Sequence, residues 1–160
     1  MLFFVSIGVF NMYEIAEKND RWKKMKNIAI KENHLYTKAY RNGERFVGKY
    51  VAVYVLRDYS AKRLCRENPR KEKVNRLGIA VSKKIGGAVE RNRAKRIIRA
   101  GYNALESNLK KGYLVVISAR EAINGMKSTD MAMELERAFA VTHLLLGEQS
   151  SQRAEEAEKI

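Results

Sequence analysis

The segment from residue 81 to residue 100, VSKKIGGAVERNRAKRIIRA, limits the possible folds most, because small and apolar residues recur in it with helical spacing between many charges. On a helix that advances by about 100° per residue, five side chains of this segment and the residues just after it share one sector. These five are Ala94, Ile97, Ile98, Gly101 and Leu105. The spacing therefore predicts a helix that packs on a core with this side and exposes the other.

The exposed side of the predicted helix is basic, since residues 81–100 hold seven basic side chains and one acid, Glu90. Like charges one turn apart repel by about a few tenths of a kcal/mol, so this face favours an anionic partner over a merely solvated surface. Arginine suits bidentate phosphate contacts, and Gly86-Gly87 lets an anion approach the start of the helix. The predicted nucleic-acid-binding residues are Lys83, Lys84, Arg91, Asn92, Arg93, Lys95, Arg96 and Arg99.

The whole chain has the same bias: its 160 residues carry 32 Lys and Arg against 18 Asp and Glu, a net charge of +14. Such a charge indicates RNA, DNA or an anionic membrane surface as partner. The one cysteine, Cys65, excludes an internal disulfide and a multi-thiolate zinc site. His34 and His143 fall in no catalytic or metal-binding motif, and we expect His143 to pack in a helix. We expect a cytoplasmic protein without catalytic or metal-ligating side chains of its own.

The two ends of the sequence differ from the middle. The apolar run LFFVSIGVF near the start is too short to span a bilayer and lacks the flanking charge and cleavage site of a secretory signal. We expect residues 1–26 to be an extension outside the fold, with an amphipathic anchor as the alternative, and translation to start at Met1, Met12 or Met25. Residues 27–147 are expected to form a single RNA-binding domain, and residues 148–160 an acidic flexible tail.

Three strands and three helices are predicted within this domain. Strands are expected at 45–56, 76–83 and 113–119, the last in the centre of a sheet. Helices are expected at 30–43 with Asn33 as cap, from Gly87 to about Leu109, and at 128–147 with caps among Ser128–Asp130 and with Leu135, Phe139 and Leu146 facing inward. The polar stretch 57–75 predicts a long connecting loop. Together these elements predict a small α/β sandwich.

Tyrosines form a second, weaker signal. Tyr36 and Tyr40 lie four residues apart on the first predicted helix, and Tyr50 and Tyr54 lie on the strand that follows. Aromatic rings beside a basic surface suit single-stranded RNA, because each stacked base contributes about 1–3 kcal/mol. Packing against the core is the alternative. The spacing permits a shared aromatic groove.

The run RLGIAVSKKIGGAVERNRAKRIIRAGY resembles the signature of the bacterial ribonuclease P protein component, whose arginine-asparagine-arginine motif corresponds to Arg91, Asn92 and Arg93. The stretches ENHLYTKAYRNG, YLVVISAR and ELERAFAVTHLLL resemble the family's first helix, last strand and final helix. The resemblance covers about Ile28 to Gly147. Gly86-Gly87 in place of Gly-Asn, Gly101 within the helix, the long stretch 57–75 and Tyr in place of Phe in the groove depart from the family pattern.

The resemblance implies a role in removing the 5′ leader of precursor tRNA. A catalytic RNA would perform the hydrolysis with Mg²⁺ held mainly by RNA, with one protein for each RNA. The basic helix would bind the catalytic RNA, and Tyr36, Tyr40 and Tyr54 would line the groove for the leader. The implied fold is an α+β sandwich of α-β-β-β-α-β-α order with a left-handed crossover, as in the second domain of ribosomal protein S5.

Of three other functions, the residues alone leave one open and argue against two. A ribosomal or ribosome-assembly RNA-binding protein would fit the charge and size equally well. A nuclease acting without RNA would need a cluster of histidines or carboxylates, which the sequence does not show. A helix-turn-helix DNA-binding protein would need a helix just before residue 91, where a strand and glycines are predicted instead.

Overall fold

The computed structural model describes residues 27–147. The predicted extension 1–26 and the predicted tail 148–160 lie outside these residues. The strands are β1 (Asn27–Ala29), β2 (Glu44–Val47), β3 (Val51–Arg57), β4 (Asn75–Ala80) and β5 (Tyr113–Ala119). The α-helices of the described range are α1 (Asn33–Asn42), α2 (Ala61–Glu67), α3 (Ala88–Leu105) and α4 (Ser128–Val141).

The five strands form one mixed sheet in the order β1-β4-β5-β3-β2. β4 runs parallel to β1 and β5, whereas β3 runs antiparallel to β5 and β2. The elements α1, β2, β3, β4, α3, β5 and α4 follow the predicted α-β-β-β-α-β-α order, so the predicted α+β class is confirmed. β1 and α2 are additions to it. The central place of β5 is also confirmed, since Val115, Val116 and Ile117 are fully buried.

The two faces of the sheet are covered unequally. On the face that we call the large face, Ile98 and Tyr102 of α3 and Leu135 and Phe139 of α4 pack on inward residues of the central strands, and these four side chains have no exposed surface. On the opposite face, the α1 face, Leu35 and Ala39 of α1 pack on Leu114 and Val116 of β5. The first core is far larger than the second, so α1 leaves part of its face of the sheet open.

Helix α3 packs as its periodicity predicts. Ala94, Ile98 and Gly101 are buried, and Ile97 and Leu105 are partly buried against the large core. A side chain at position 101 would bring its Cβ to about 3.0 Å from the Met131 side chain of α4. Gly101 therefore allows α3 and α4 to approach closely, which accounts for this departure from the family pattern.

The predicted strand 45–56 is instead a hairpin, with β2 and β3 separated by a short turn. The turn is closed by the Gly48 amide, which donates to the Val51 carbonyl at 2.9 Å. A Cβ at position 48 would collide with the Glu134 carboxylate of α4. Gly48 thus allows the β2–β3 turn to lie close to α4. The alternation of apolar and polar residues in the sequence cannot predict this contact.

The predicted loop 57–75 contains helix α2, so that prediction was wrong in part. Asp58, just before α2, accepts hydrogen bonds from Arg76 Nε at 2.6 Å and Arg76 Nη2 at 2.7 Å, and both side chains are buried. Asp58 Oδ1 also accepts from the Ser60 amide at 2.8 Å. The Asp58–Arg76 pair fixes the start of α2. The only buried residue of α2 is Ala61, so the helix has too little apolar periodicity to be recognised in the sequence.

The end of α4 differs most from expectation. The helix stops at Val141, and His143 takes a left-handed conformation (φ 53°) with an exposed side chain, so the packing role predicted for it was wrong. Leu146 is 54% exposed rather than inward-facing, whereas Leu144 and Leu145 are buried. The left-handed residue reverses the chain and changes which leucines reach the core. Leu145 pairs with Leu109 in a β-bridge.

The predicted helix caps were also wrong. Glu32 and Lys127 occupy the positions before α1 and α4, and neither forms a capping side-chain hydrogen bond. Asn33 and Ser128 are the first residues of their helices instead. Asp130 lies in the first turn of α4, where its charge is favourable to the helix dipole.

Candidate nucleic-acid interface

The polar side of α3 is a continuous cationic surface. Asn92, Arg93, Arg96 and Arg99 are exposed, and Arg91 and Lys95 are partly buried. Within residues 27–147 no carboxylate forms an ion pair with any of these side chains. We call the six residues the α3 basic face. Its charges are left uncompensated by the part of the protein that the structure describes.

The start of α3 is held in place by the glycines before it. Lys83–Ile85 form one turn of 3₁₀ helix, with Lys83 and Lys84 exposed, and Gly86 has φ 142°, a conformation that favours glycine. The Ile85 carbonyl accepts a hydrogen bond from Asn124 Nδ2 at 3.0 Å. Arg91 Nε donates to the Gly87 carbonyl at 3.3 Å. The two lysines therefore stand on a fixed turn directly before the α3 basic face.

Further cations join this end from distant parts of the sequence. A cleft of about 460 Å³ is lined by Lys84 together with Lys49 of the β2–β3 turn and Arg120 after β5. Arg120 Nη1 donates to the Gly48 carbonyl at 2.7 Å and so ties the two segments together. The sequence did not indicate Lys49 or Arg120, because only the sheet register brings them beside Lys84.

The three predicted groove tyrosines lie together on the α1 face. The Tyr36 ring covers Gly78 of β4, where an added Cβ would come within about 2.7 Å of the ring. Tyr40 and Tyr54 make an edge-to-face contact with ring centroids 4.8 Å apart. We call these three residues the tyrosine cluster. Tyr50 lies elsewhere, lining a cleft with Met133 and Arg137 of α4.

Two rings of the tyrosine cluster, Tyr36 and Tyr40, are partly accessible and carry hydroxyl groups with raised pKa values. Burial raises the pKa of the Tyr36 hydroxyl. For Tyr40, burial is again the main cause of a raised pKa, and proximity to Tyr54 and Tyr36 adds to it. Tyr40 is nevertheless 41% exposed. Neutral, half-exposed aromatic rings can stack on bases without repelling phosphates.

A small cleft joins the tyrosine cluster to the α3 basic face. Its volume is about 210 Å³, and its walls include Tyr36 on one side and Lys95 and Arg99 on the other. Strand β1 forms part of the wall through Ala29. Sequence reasoning missed β1 because three residues are too few for a recognisable alternation. Two sites that were predicted separately are therefore adjacent.

Metal ligands are not grouped in this region. Across residues 27–147 no three His, Cys, Asp or Glu side chains lie close enough to hold a metal ion. The cationic surfaces described above do not fit a protein-held cation. Among the same residues, no helix is both long and apolar enough to cross a membrane.

A mixed sheet crossed by a cationic helix, with a cluster of tyrosines beside it, defines an RNA-binding domain of α+β class. The family model described as Ribonuclease P matches residues 25–143. The chain therefore belongs to the ribonuclease P protein family. Membership confirms the predicted role as the protein subunit of ribonuclease P in tRNA 5′ processing and does not favour a ribosomal or ribosome-assembly protein.

Curated relatives agree with this assignment. The chain is 36% identical over 122 residues to the ribonuclease P protein component of Clostridium acetobutylicum, covering 76% of this chain and 94% of that protein. It is 35% identical over 112 residues to the ribonuclease P protein component of Clostridium botulinum, covering 69% and 90% respectively.

Solved structures show the same fold. The RNase P protein of Staphylococcus aureus superimposes with a TM-score of 0.59 at 25% identity, covering 77% of this chain and 100% of that one. A mutant of the S. aureus protein, described as defective in mRNA degradation activity, gives a TM-score of 0.61 at 26% identity over 73% and 89%. The RNase P protein of Thermotoga maritima, at 19% identity and a TM-score of 0.55, shares the fold over 68% and 91%.

Proposed function

We propose that this subunit binds the catalytic RNA of ribonuclease P with the α3 basic face and holds the 5′ leader of precursor tRNA on the tyrosine cluster. The observation that carries the proposal is the small cleft in which Tyr36 faces Lys95 and Arg99. One surface can thereby contact phosphates and bases of two RNA segments that meet near a cleavage site. Lys83 and Lys84 extend the phosphate-binding surface past the start of α3.

The chemistry of phosphodiester hydrolysis is assigned to the RNA in this proposal. Mg²⁺ would activate water and neutralise developing charge at the cleavage site, and RNA phosphates would supply most of its ligands. The protein side chains contribute by lowering RNA–RNA repulsion and by binding the leader. One protein acts with each RNA, and the complex works in the cytoplasm, where precursor tRNA is processed.

Cleavage of precursor tRNA at low Mg²⁺ tests this division of labour. The matching catalytic RNA is assayed with and without the protein, and the protein is also assayed alone. We expect the protein alone to leave the substrate intact and to restore cleavage by the RNA. Binding of the RNA without any change in cleavage would contradict the proposed role, as would cleavage by the protein alone.

The α3 basic face is tested by the salt dependence of binding to the catalytic RNA. In Arg91→Ala and Arg96→Ala variants, each lost phosphate contact lowers the log–log slope by about 0.7–0.9 and weakens affinity. Arg66→Ala, which removes a charge from α2, serves as the control and keeps the slope unchanged. An unaltered slope and affinity in both α3 variants would remove the catalytic RNA from this surface.

The tyrosine cluster is tested by comparing substrate with product. Tyr36→Ala removes a ring that contacts the leader but nothing that contacts mature tRNA, so the holoenzyme should lose affinity for precursor tRNA by roughly 5- to 150-fold. Affinity for mature tRNA should be unchanged. Equal losses for both RNAs would show that Tyr36 does not bind the leader.

A further inference from the structure

The end of the sheet farthest from the start of α3 carries a second basic cleft that the proposed function does not use. It has a volume of about 570 Å³ and lies between the end of β3, helix α2 and the turn before β5. Its walls include Arg57, Lys62 and Lys73. The remaining basic residues there are engaged by the protein, since Lys110 Nζ donates to the His143 carbonyl and Lys111 Nζ to Glu106. We call this site the α2 cleft.

The charge of the α2 cleft is not neutralised within the described residues. Asp58 is the only acid in its wall, and Arg76 already pairs with it on both carboxylate oxygens. Among residues 27–147 no carboxylate forms an ion pair with Arg57, Lys62 or Lys73. Uncompensated cations around a concave surface favour an anionic ligand, and a phosphodiester chain supplies one charge for each nucleotide.

The floor of the cleft is hydrogen-bonded, and its rim is aromatic. The Asp58 amide donates to the Gly112 carbonyl at 3.0 Å, and the aliphatic stem of Lys73 lies beside Gly112. Tyr59 also lines the cleft, and its side chain is 78% exposed. Lys38 of α1 places its ammonium group 4.7 Å from the centre of the Tyr59 ring. An exposed ring with a cation beside it can stack a base and hold the neighbouring phosphate.

Helix α1 connects this rim to the tyrosine cluster. Lys38 contacts Tyr59, while Tyr40, two residues further along α1, contacts Tyr54. Along β3, Arg57 lies three residues beyond Tyr54, about 10 Å further along the strand, and its side chain alternates to the opposite face of the sheet. Tyr59, which lines the α2 cleft, lies against Lys38 of α1, so the path from the tyrosine cluster to the cleft runs along α1 and around the end of β3.

We infer that the α2 cleft binds the distal part of the same single-stranded leader, its phosphates on Lys62, Lys73 and Arg57 and one base on Tyr59. This inference rests on the proposed leader-binding role of the tyrosine cluster. It makes the protein selective for precursor tRNAs with long leaders, because short leaders end before the α2 cleft. Continuity with the tyrosine cluster distinguishes the leader from the catalytic RNA as the occupant.

The test uses the holoenzyme and precursor tRNAs with leaders from about 4 to about 16 nucleotides, the range of site sizes in single-strand-binding domains. The affinity of the wild-type holoenzyme should continue to rise with leader length beyond the length that fills the tyrosine cluster. Tyr59→Ala and the double variant Lys62→Ala/Lys73→Ala should lose that later gain, about fivefold or more, and keep wild-type affinity for the shortest leader. Arg66→Ala, on the same helix but outside the cleft wall, is the matched control.

A second measurement identifies the phosphates involved. Neutral methylphosphonate linkages in the distal leader should weaken binding of the wild type more than binding of Lys62→Ala/Lys73→Ala, because the variant has already lost two of the three phosphate-binding side chains and keeps only Arg57. The inference is overturned if the variants bind all leaders like the wild type. It is also overturned if they lose affinity equally at every length, which would assign the cleft to the catalytic RNA. A different result would contradict the proposed function: Tyr36→Ala would then have the same affinity as the wild type for precursor tRNA with the shortest leader.

Discussion

The two faces of the sheet use the same residue type in opposite ways. On the large face, Tyr102 has no exposed surface, packs edge to face on Phe139 and accepts a hydrogen bond from Asn75. On the α1 face, Tyr40 and Tyr54 also meet edge to face, yet Tyr40 keeps 41% of its surface exposed. Aromatic burial on one face stabilises the fold, and incomplete coverage on the other keeps rings available for a ligand.

The largest effect should come from truncation on the large face. Phe139→Ala removes a fully buried ring and should lower the free energy of unfolding by about 3–5 kcal/mol. Tyr40→Ala, the matched change on the α1 face, should lower it by only about 1 kcal/mol but weaken binding of precursor tRNA. Urea unfolding with fluorescence measures the first quantity. Similar losses of stability in both variants would contradict the functional division between the faces.

An intermediate effect is expected where the α1 face is most closely packed. In Gly78→Ala the new methyl group meets the Tyr36 ring and should displace it, at a cost of about 1 kcal/mol in stability. Leader affinity should fall as it does in Tyr36→Ala. In a Tyr36→Ala background the Gly78→Ala change should have almost no further effect on binding. Additive losses in the double variant would show that Gly78 acts independently of the ring.

The smallest effect concerns the buried hydroxyl of Tyr102. Burial raises the pKa of this group well above its usual value. The unfolded chain ionises its tyrosines near pH 10, so it releases this proton before the folded chain does, and stability falls as the pH rises above about 10. Tyr102→Phe removes the acceptor of the hydrogen bond from Asn75, so the free energy of unfolding at neutral pH should fall by about 1 kcal/mol.

The pH dependence of Tyr102→Phe provides its control. Phenylalanine has no hydroxyl group to ionise at position 102, so the free energy of unfolding of the variant should decline less than that of the wild type as the pH rises above about 10. Tyr36 and Tyr40 also have raised pKa values and remain in the variant, so part of the decline persists. Parallel declines in both proteins would mean that Tyr102 does not contribute to the alkaline instability.

The sequence predicts those elements whose own residues carry the signal. The apolar sector of α3 was identified because burial on one side imposes a helical period on its 18 residues, and β5 was identified because burial on both faces makes its residues continuously apolar. β1 and α2 were missed, since three or seven residues carry too little periodicity. The end of α4 was misplaced because a left-handed residue at His143 has no reliable sequence signature.

The candidate site divides in a similar way. The basic residues of α3 could be predicted as one surface from the sequence, because a single helix carries them. The resemblance to ribonuclease P proteins predicted that Tyr36 and Tyr40 share a groove with Tyr54. Lys49 and Arg120 could not be assigned, because the β3–β5 register alone brings their segments together. The α2 cleft likewise depends on a helix that was predicted as loop. Residue spacing in the sequence predicts a surface that lies on a single helix or strand. A site formed between several elements can be recognised only when the strand order and register are known.

The position of β5 has a consequence for how the protein folds during synthesis. In the sheet, β5 lies between β4 and β3, yet both of these strands precede it in the chain. Neither β4 nor β3 can complete its pairing in the sheet until residues 113–119 have left the ribosome. A single late strand thus joins the two halves of the sheet, and the Arg76–Asp58 pair bridges the end of that strand.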